Sequence, residues 1–183
     1  MIIGVTGRIA TGKTTAAKIL GEKGFLRVDA DAIYDELRKN NKTMMGEIKA
    51  RFGSSDRAVL LSKVRDDKKA LQSLNDITHK YVVHEIRTTL REENYKNAVL
   101  DVPIPVEEGF LDVVDFVIVT DCKVQCQVHR IIARDGISPE KASEKVKMQM
   151  PAKDYCALGD LVIDTTDMNS VELEKIINIV LDL

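Results

Sequence analysis

The chain has 183 residues, of which 44% are hydrophobic and 31% are charged, with 10 glycines and 4 prolines. This composition excludes a disordered or fibrous chain and suits one globular domain, or one domain with an inserted subdomain. The 27 basic and 29 acidic residues leave a net charge of −2, which argues against a nucleic-acid or membrane surface. Because no apolar run approaches the ~20 residues of a membrane span, we expect a cytoplasmic protein.

Short β-rich runs recur along the chain and are apolar nearly throughout, which is typical of strands covered on both faces. They are residues 1–6, 25–29, 97–102, 115–120 and 160–164. Helical patterns lie at 13–24, near 107–113, at 123–149 with a break near Gly136 and Pro139, and at 170–181. Strands that alternate with helices predict an α/β fold with a parallel sheet covered on both faces.

The gap between the second and third runs differs from the rest of the chain. Residues 30–96 contain no convincing strand and read as successive helical segments. A stretch of this size is too structured for a linker, so it predicts a helical cap or substrate-binding subdomain. We therefore expect a core of residues 1–29 and 97–183 with this subdomain inserted into it.

Residues 7–14, G-R-I-A-T-G-K-T, fit the phosphate-binding pattern G-x-x-x-x-G-K-[ST], with a strand before it and a helix after it. Backbone N–H groups of such a loop converge on phosphate oxygens at a helix N-terminus. The pattern predicts that Lys13 bridges the β- and γ-phosphates, that the Thr14 hydroxyl binds Mg²⁺, and that Thr15 bonds the neighbouring phosphate. The predicted ATP-binding residues of the loop are Gly7, Ala10, Thr11, Gly12, Lys13, Thr14 and Thr15.

Three features favour a kinase among the proteins that carry such a loop. No N-K-x-D guanine signature follows the loop, which weakens a GTPase. The third strand ends at Asp101 without a following acidic residue that could activate water. A phosphotransferase also needs a site for its acceptor, which the helical insert at 30–96 supplies.

Two aspartates, Asp29 and Asp31, stand where the second strand ends, and ligands bind at the carboxyl ends of parallel strands. A carboxylate there can take the proton of an attacking hydroxyl and help to hold Mg²⁺. One of the two can instead cap the following helix. The pattern alone leaves open which aspartate has which role.

Several segments occur in the order in which one kinase family carries similar ones: IGVTGRIATGKTT, VDADAIYDEL, LQSLNDITHKYV, VLDVPIPVE, QCQVHRIIARDGIS and AKDYCALGDLVIDT. The sequence therefore resembles the dephospho-CoA kinase family over nearly its whole length. This resemblance implies a three-layer P-loop kinase fold, with a five-stranded parallel sheet and a helical CoA-binding insert. It also implies a helical lid, which would lie at about 130–150.

The same resemblance implies transfer of the γ-phosphate of ATP to the ribose 3′-hydroxyl of dephospho-CoA, the last step of CoA biosynthesis. Asp31 matches the second aspartate of the family's D-A-D motif, which implies the general base and a Mg²⁺ ligand. Arg134 matches the lid arginine, which implies a catalytic role beside Lys13. The implied substrate-binding residues are Asp29, Asp31, Arg57, His79, Asp101 and Pro103.

Arg130 and Arg134 are four residues apart and therefore share one helix face. Two planar guanidinium groups suit β- and γ-phosphate oxygens, which predicts that both bind ATP. The alternative interpretation is a solvated helix face.

Some positions depart from the family's pattern. Arg8 stands where the family nearly always has glycine, which predicts a bulky cation at the mouth of the phosphate site. The fifth strand continues as VIDTTD, where the family has asparagine near the adenine. Two alternatives stay open: a related P-loop kinase acting on another nucleotide, nucleoside or small molecule, and a non-catalytic nucleotide-dependent binding module. For the kinase we expect a small-molecule substrate, no nucleic-acid or membrane partner, and a monomer or small homo-oligomer.

Overall fold

The computed structural model of the protein describes residues 1–65, 67–92, 95–102, 110 and 112–182. The described elements in chain order are β1 (Ile2–Gly7), α1 (Lys13–Glu22), β2 (Leu26–Asp29), α2 (Ala30–Asn40), α3 (Lys42–Phe52), α4 (Arg57–Val64), α5 (Lys68–Glu92), β3 (Ala98–Asp101), β4 (Phe116–Asp121), α6 (Val124–Asp135), α7 (Pro139–Lys147), α8 (Ala152–Cys156), β5 (Leu161–Asp164) and α9 (Ser170–Leu181). The chain divides into two compact units, one of Met1–Asp29 with Tyr95–Leu183 and one of Ala30–Asn94.

The strands of the first unit form one parallel sheet in the order β2-β3-β1-β4-β5. Each strand begins and ends within one residue of a predicted β-rich run. The predicted α/β fold with a five-stranded parallel sheet is therefore confirmed. Because β1 is the middle strand, the loop that follows Gly7 lies at the centre of the sheet's carboxyl edge.

Both faces of the sheet are covered, which explains why the strands are apolar nearly throughout. On β4, Ile118 packs into the main core with side chains of α1 and α9. Val117 and Val119 point to the opposite face and pack with Tyr155 of α8. A strand buried on both faces has little reason to alternate polar and apolar residues.

The break predicted within 123–149 separates α6 from α7. Gly136 ends α6 in the left-handed region with φ 64°. The Ser138 side chain then caps α7, and Pro139 occupies its first turn. Helix α8 was not predicted, because five residues are too few for a helical period to show. Most of the helix predicted near 107–113 lies outside the described residues.

The second unit packs α2 to α5 around an apolar core of its own. Its buried members are Met44, Ile48, Phe52, Leu60 and Val64. Within the described part of the chain, no helix combines the length and the apolar character that crossing a bilayer requires.

Candidate active site

The phosphate-binding loop joins β1 to α1, and two of its glycines hold conformations that other residues resist. Gly7 has φ 144°, and a Cβ at this position would lie 2.2 Å from the carbonyl oxygen of Thr120. Gly12 stands at the N-terminus of α1 with φ 103°. The glycines therefore let the loop turn tightly against β4 before it enters the helix.

A cavity of about 400 Å³ lies against this loop within the first unit. Its lining residues are Ala10, Gly12, Lys13, Thr14, Thr15, Arg130, Arg134, Thr165, Met168, Asn169, Ser170 and Leu173. Seven of the nine residues predicted to bind ATP are in this set, and Gly7 and Thr11 are not. The cavity thus combines two arginines and a lysine with a helix N-terminus, which suits an anionic ligand.

Side chains of the loop also bond the loop itself. Thr11 is fully buried, and its hydroxyl donates to the Arg8 carbonyl oxygen at 2.8 Å and lies 2.9 Å from Thr120 Oγ1. Lys13 Nζ donates to the same Arg8 carbonyl at 3.1 Å. A lysine held by the loop carries its charge close to the helix N-terminus, where phosphates bind.

Arg130 bridges two segments of the chain that border the cavity. Its Nη1 donates to Thr165 Oγ1 at 3.0 Å and to the Ala10 carbonyl at 3.2 Å, while its Nη2 donates to the Thr165 carbonyl at 2.6 Å. In this structure the guanidinium therefore bonds protein oxygens of the loop and of the β5 end. Its contact with phosphate stays a prediction.

Arg134 is more exposed than Arg130, with 57% of its side chain accessible. Its Nε and Nη2 donate to the two carboxylate oxygens of Asp135 at 2.7 and 3.2 Å. Hydrogen bonds from Arg134 and from Lys145 hold the pKa of Asp135 well below its usual range. Asp135 is therefore ionised at neutral pH and orients Arg134.

The expectation of a cation at the mouth of the phosphate site is wrong for Arg8. Its Nη2 pairs with Asp121 Oδ1 at 3.0 Å and donates to the Cys122 carbonyl at 3.3 Å. The residue is 8% exposed and does not line the cavity. Its charge is compensated at the end of β4 because a buried guanidinium needs an anionic partner.

Two predicted substrate-binding residues, Asp29 and Asp101, are register neighbours at the ends of β2 and β3. Arg27, two residues before Asp29 on the same strand face, donates from Nη2 to both carboxylates, at 2.8 and 3.1 Å. A shared guanidinium offsets the repulsion between adjacent like charges. The structure thus keeps two carboxylates together at the carboxyl edge of the sheet.

The second unit carries Asp31, Arg57 and His79. Asp31 lies exposed in the first turn of α2, and Arg57 is the exposed first residue of α4. His79 is half-buried on α5, and burial lowers its pKa below the usual value, although Asp76 opposes this shift. Pro103 lies outside the described residues.

Thr14 is exposed at the start of α1 and lines part of the cavity. The described ranges contain no group of three or more His, Cys, Asp or Glu side chains that could hold a metal ion. Mg²⁺ in nucleotide sites needs no such group, because phosphate oxygens and water complete its shell around one or two protein ligands. A hydroxyl at Thr14 fits that requirement.

Residues that the sequence analysis did not single out also contact the loop, namely Gln127 and Thr165. Gln127 Nε2 donates to the Ile9 carbonyl at 2.7 Å. The Thr165 hydroxyl donates to the Thr11 carbonyl at 2.7 Å. Gln127 lies three residues before Arg130, so helical spacing carried a signal for it, and Thr165 lies in the VIDTTD segment that departs from the family's pattern, although nothing there pointed to the loop.

A parallel five-stranded sheet with this loop at its central strand defines a P-loop nucleotide-binding protein, a class that includes kinases, GTPases and ATPases. The family model described as dephospho-CoA kinase matches residues 1–171. The chain belongs to the dephospho-CoA kinase family.

Individual relatives agree with this family assignment. The chain is similar to the dephospho-CoA kinase of Carboxydothermus hydrogenoformans, with 34% identity over 189 residues, covering 97% of this chain and 92% of that protein. The crystal structure of TT1252 from Thermus thermophilus is similar with a TM-score of 0.82 and 28% identity, covering 100% of this chain and 96% of that one. The dephospho-CoA kinase from Campylobacter jejuni shares the fold, with a TM-score of 0.67 and 23% identity over 99% of this chain and 96% of that one.

Proposed function

We propose that this protein transfers the γ-phosphate of ATP to the 3′-hydroxyl of the ribose of dephospho-CoA, giving CoA and ADP. The observation that carries the proposal is the family match over residues 1–171, in a chain whose phosphate-binding loop borders a cavity of about 400 Å³. The reaction forms a bond between the 3′-oxygen and the γ-phosphorus and breaks the bond from that phosphorus to ADP.

The loop and α1 would hold the triphosphate. Lys13 would neutralise charge on the β- and γ-phosphates, with Arg134 adding a second cation from α6. Thr14, together with Asp31, would hold Mg²⁺, which supplies further charge neutralisation when bound. Most of the catalysis would then come from positioning and from compensation of developing negative charge.

Asp31 would act as the general base that takes the proton of the 3′-hydroxyl. Its place two residues beyond the end of β2 supports this role, because ligands of parallel sheets bind at that edge. The helical unit Ala30–Asn94 would bind dephospho-CoA, with Arg57 and His79 as contacts.

The remaining predicted contacts to dephospho-CoA are Asp29 and Asp101 at the strand ends, and Pro103. Closure of a lid at about 130–150 would exclude water from the site and limit wasteful hydrolysis of ATP.

The test is a coupled assay of ADP release from MgATP. Acceptors would be dephospho-CoA, AMP, CMP, adenosine, pantothenate and none, with CoA identified as a product by mass. The Lys13→Ala variant, purified in parallel, controls for a contaminating kinase. We expect release that depends on dephospho-CoA and is lost in the variant.

ADP release that depends on a different acceptor would support a phosphotransferase whose substrate is not dephospho-CoA. If no acceptor gives ADP release although ATP binds measurably, a non-catalytic binding module would be favoured. Equal rates for Lys13→Ala and the natural protein would contradict the role of the loop.

A further inference from the structure

Successive carbonyl groups of the phosphate-binding loop, at residues 8–11, each accept a hydrogen bond from a side chain. The donors to the first carbonyl, that of Arg8, are Thr11 and Lys13 of the loop itself. The donors to the next three are, in chain order, Gln127 Nε2 to Ile9 at 2.7 Å, Arg130 Nη1 to Ala10 at 3.2 Å, and Thr165 Oγ1 to Thr11 at 2.7 Å. Side chains of α6 and of the β5 end thus hold three successive carbonyls of the loop.

The direction of these carbonyls determines where the loop's N–H groups point. In a trans peptide the C=O of one residue and the N–H of the next point in opposite directions, and the described chain contains no cis peptide bond. The N–H groups of Ala10, Thr11 and Gly12 therefore point away from Gln127, Arg130 and Thr165, respectively. Ala10 and Gly12 border the cavity.

The preceding N–H group has a different partner. Ile9 N–H donates to Gln149 Oε1 at 2.6 Å, so it bonds protein rather than facing the cavity. The row of N–H groups available to an anion thus begins at Ala10. Ala10 itself is in the left-handed region, with φ 60°, which a residue with a side chain seldom adopts without support.

We propose that Gln127 and Thr165, together with Arg130, are positioning residues that aim the loop's N–H groups at the phosphates. They act through the loop carbonyls; Thr165 also lines the cavity, whereas Gln127 is fully buried. Both are suited to a fixed role because Gln127 is 0% and Thr165 is 3% exposed. This inference rests on the proposed function, since it gives the loop a polyphosphate ligand.

Arg130 acquires a second role in this arrangement. Its guanidinium joins the Ala10 carbonyl to both the hydroxyl and the carbonyl of Thr165. Thr165 Oγ1 therefore accepts from Arg130 while donating to Thr11, which uses the hydroxyl as donor and acceptor at once. Loss of that single hydroxyl would remove the bond to the Thr11 carbonyl and also one of the bonds that hold the Arg130 guanidinium.

The test compares Thr165→Val with Thr165→Ser and with Thr166→Val. Valine keeps the shape of threonine without the hydroxyl, and serine restores the hydroxyl. Thr166 provides the matched control, because its hydroxyl bonds the Asp164 carboxylate and the Lys123 N–H, outside the phosphate-binding loop. Titration calorimetry would measure the Kd of each protein for ADP and for inorganic tripolyphosphate, a ligand with no base or sugar.

We expect Thr165→Val to weaken both ligands about tenfold, the cost of hydrogen bonds whose buried carbonyl loses its donor. Thr165→Ser should bind both within about threefold of the natural protein, and Thr166→Val should bind them unchanged. Gln127→Met, which removes the amide but keeps the length of the side chain, tests the same idea from α6 and should weaken tripolyphosphate about threefold or more.

Three results would overturn the inference. Unchanged tripolyphosphate binding in Thr165→Val and Gln127→Met would show that the donors do not act on the phosphate site. Loss of ADP binding alone would place the effect of Thr165 at the base or sugar. Failure of Thr165→Ser to restore binding would assign the effect to packing. Turnover of dephospho-CoA by the natural protein is measured separately, so the proposed function can stand when this inference fails.

Discussion

Replacement of Arg8 by methionine separates a structural role of this residue from a phosphate-binding role. Methionine fills a similar space with no charge. Arg8 Nη2 lies 3.0 Å from Asp121 Oδ1, and neither residue lines the cavity. The structure therefore predicts that Arg8→Met reduces stability and leaves ATP binding unchanged.

The magnitude follows from the exposure of the two partners. The Arg8 side chain is 10% exposed and that of Asp121 is 27% exposed, so the pair is partly solvated. A hydrogen bond to a charged group contributes about 1.5–3 kcal/mol, below the cost of breaking a fully buried pair. We expect a loss of about 2 kcal/mol, or a decrease in Tm of about 4–8 °C for a chain of this size.

Calorimetry of Arg8→Met, Asp121→Asn and the double variant forms a cycle that isolates the pair. The expected coupling is about 1 kcal/mol or more, and the KM for ATP should stay within twofold. Additive losses of stability would show that the two side chains do not interact. A tenfold increase in KM with no change in Tm would refute the reasoning and return Arg8 to the phosphate site.

Other substitutions test the remaining assignments. Asp31→Asn should lower kcat at least tenfold and leave the affinity for ATP without Mg²⁺ unchanged. A smaller decrease in kcat would contradict its role as the base. Arg134→Ala should lower kcat without changing Tm, because its side chain is 57% exposed; an equal loss of Tm would indicate a structural residue. Arg27→Met should reduce the free energy of unfolding by about 1–2 kcal/mol, because it leaves the carboxylates of Asp29 and Asp101 without their shared cation. The control variant Arg65→Met, at an exposed arginine, should leave the free energy of unfolding unchanged. Burial lowers the pKa of His79, so below about pH 6.5 the unfolded chain binds a proton there more readily than the folded chain. The free energy of unfolding should therefore decrease as the pH falls, and it should decrease less steeply in His79→Gln. Identical urea-unfolding profiles of the two proteins from pH 5 to 8 would contradict this.

The regular elements of this fold were predictable because each reflects a local pattern. The β-rich runs coincide with the strands since burial on both faces selects apolar residues at every position. Helix α9, predicted at 170–181, has those bounds in the structure, where Asn169 and Glu172 form a capping box at its start. The loop was recognisable because its glycines, lysine and hydroxyls occur at fixed spacing.

Contacts between distant segments were not predictable from the same information. The bond from Gln127 to Ile9 spans 118 residues and that from Thr165 to Thr11 spans 154, and no periodicity reports such pairs. The environment of Arg8 was misjudged for the same reason, since its partner Asp121 is 113 residues away. A motif specifies which residues approach a phosphate, whereas tertiary structure determines which side chains hold the motif in shape.

The strand order has a consequence for how the chain folds as it is synthesised. β1 and β2 emerge from the ribosome first, but they are not neighbours, because β3 pairs with both of them. β3, which pairs with both, follows the helical unit Ala30–Asn94 in the chain. This unit is continuous in sequence and can fold before β3 has been synthesised. Ribosome-bound chains in which residues 1–97 are followed by a linker that clears the exit tunnel should therefore protect amides of α3 to α5 from hydrogen exchange and leave those of β1 unprotected.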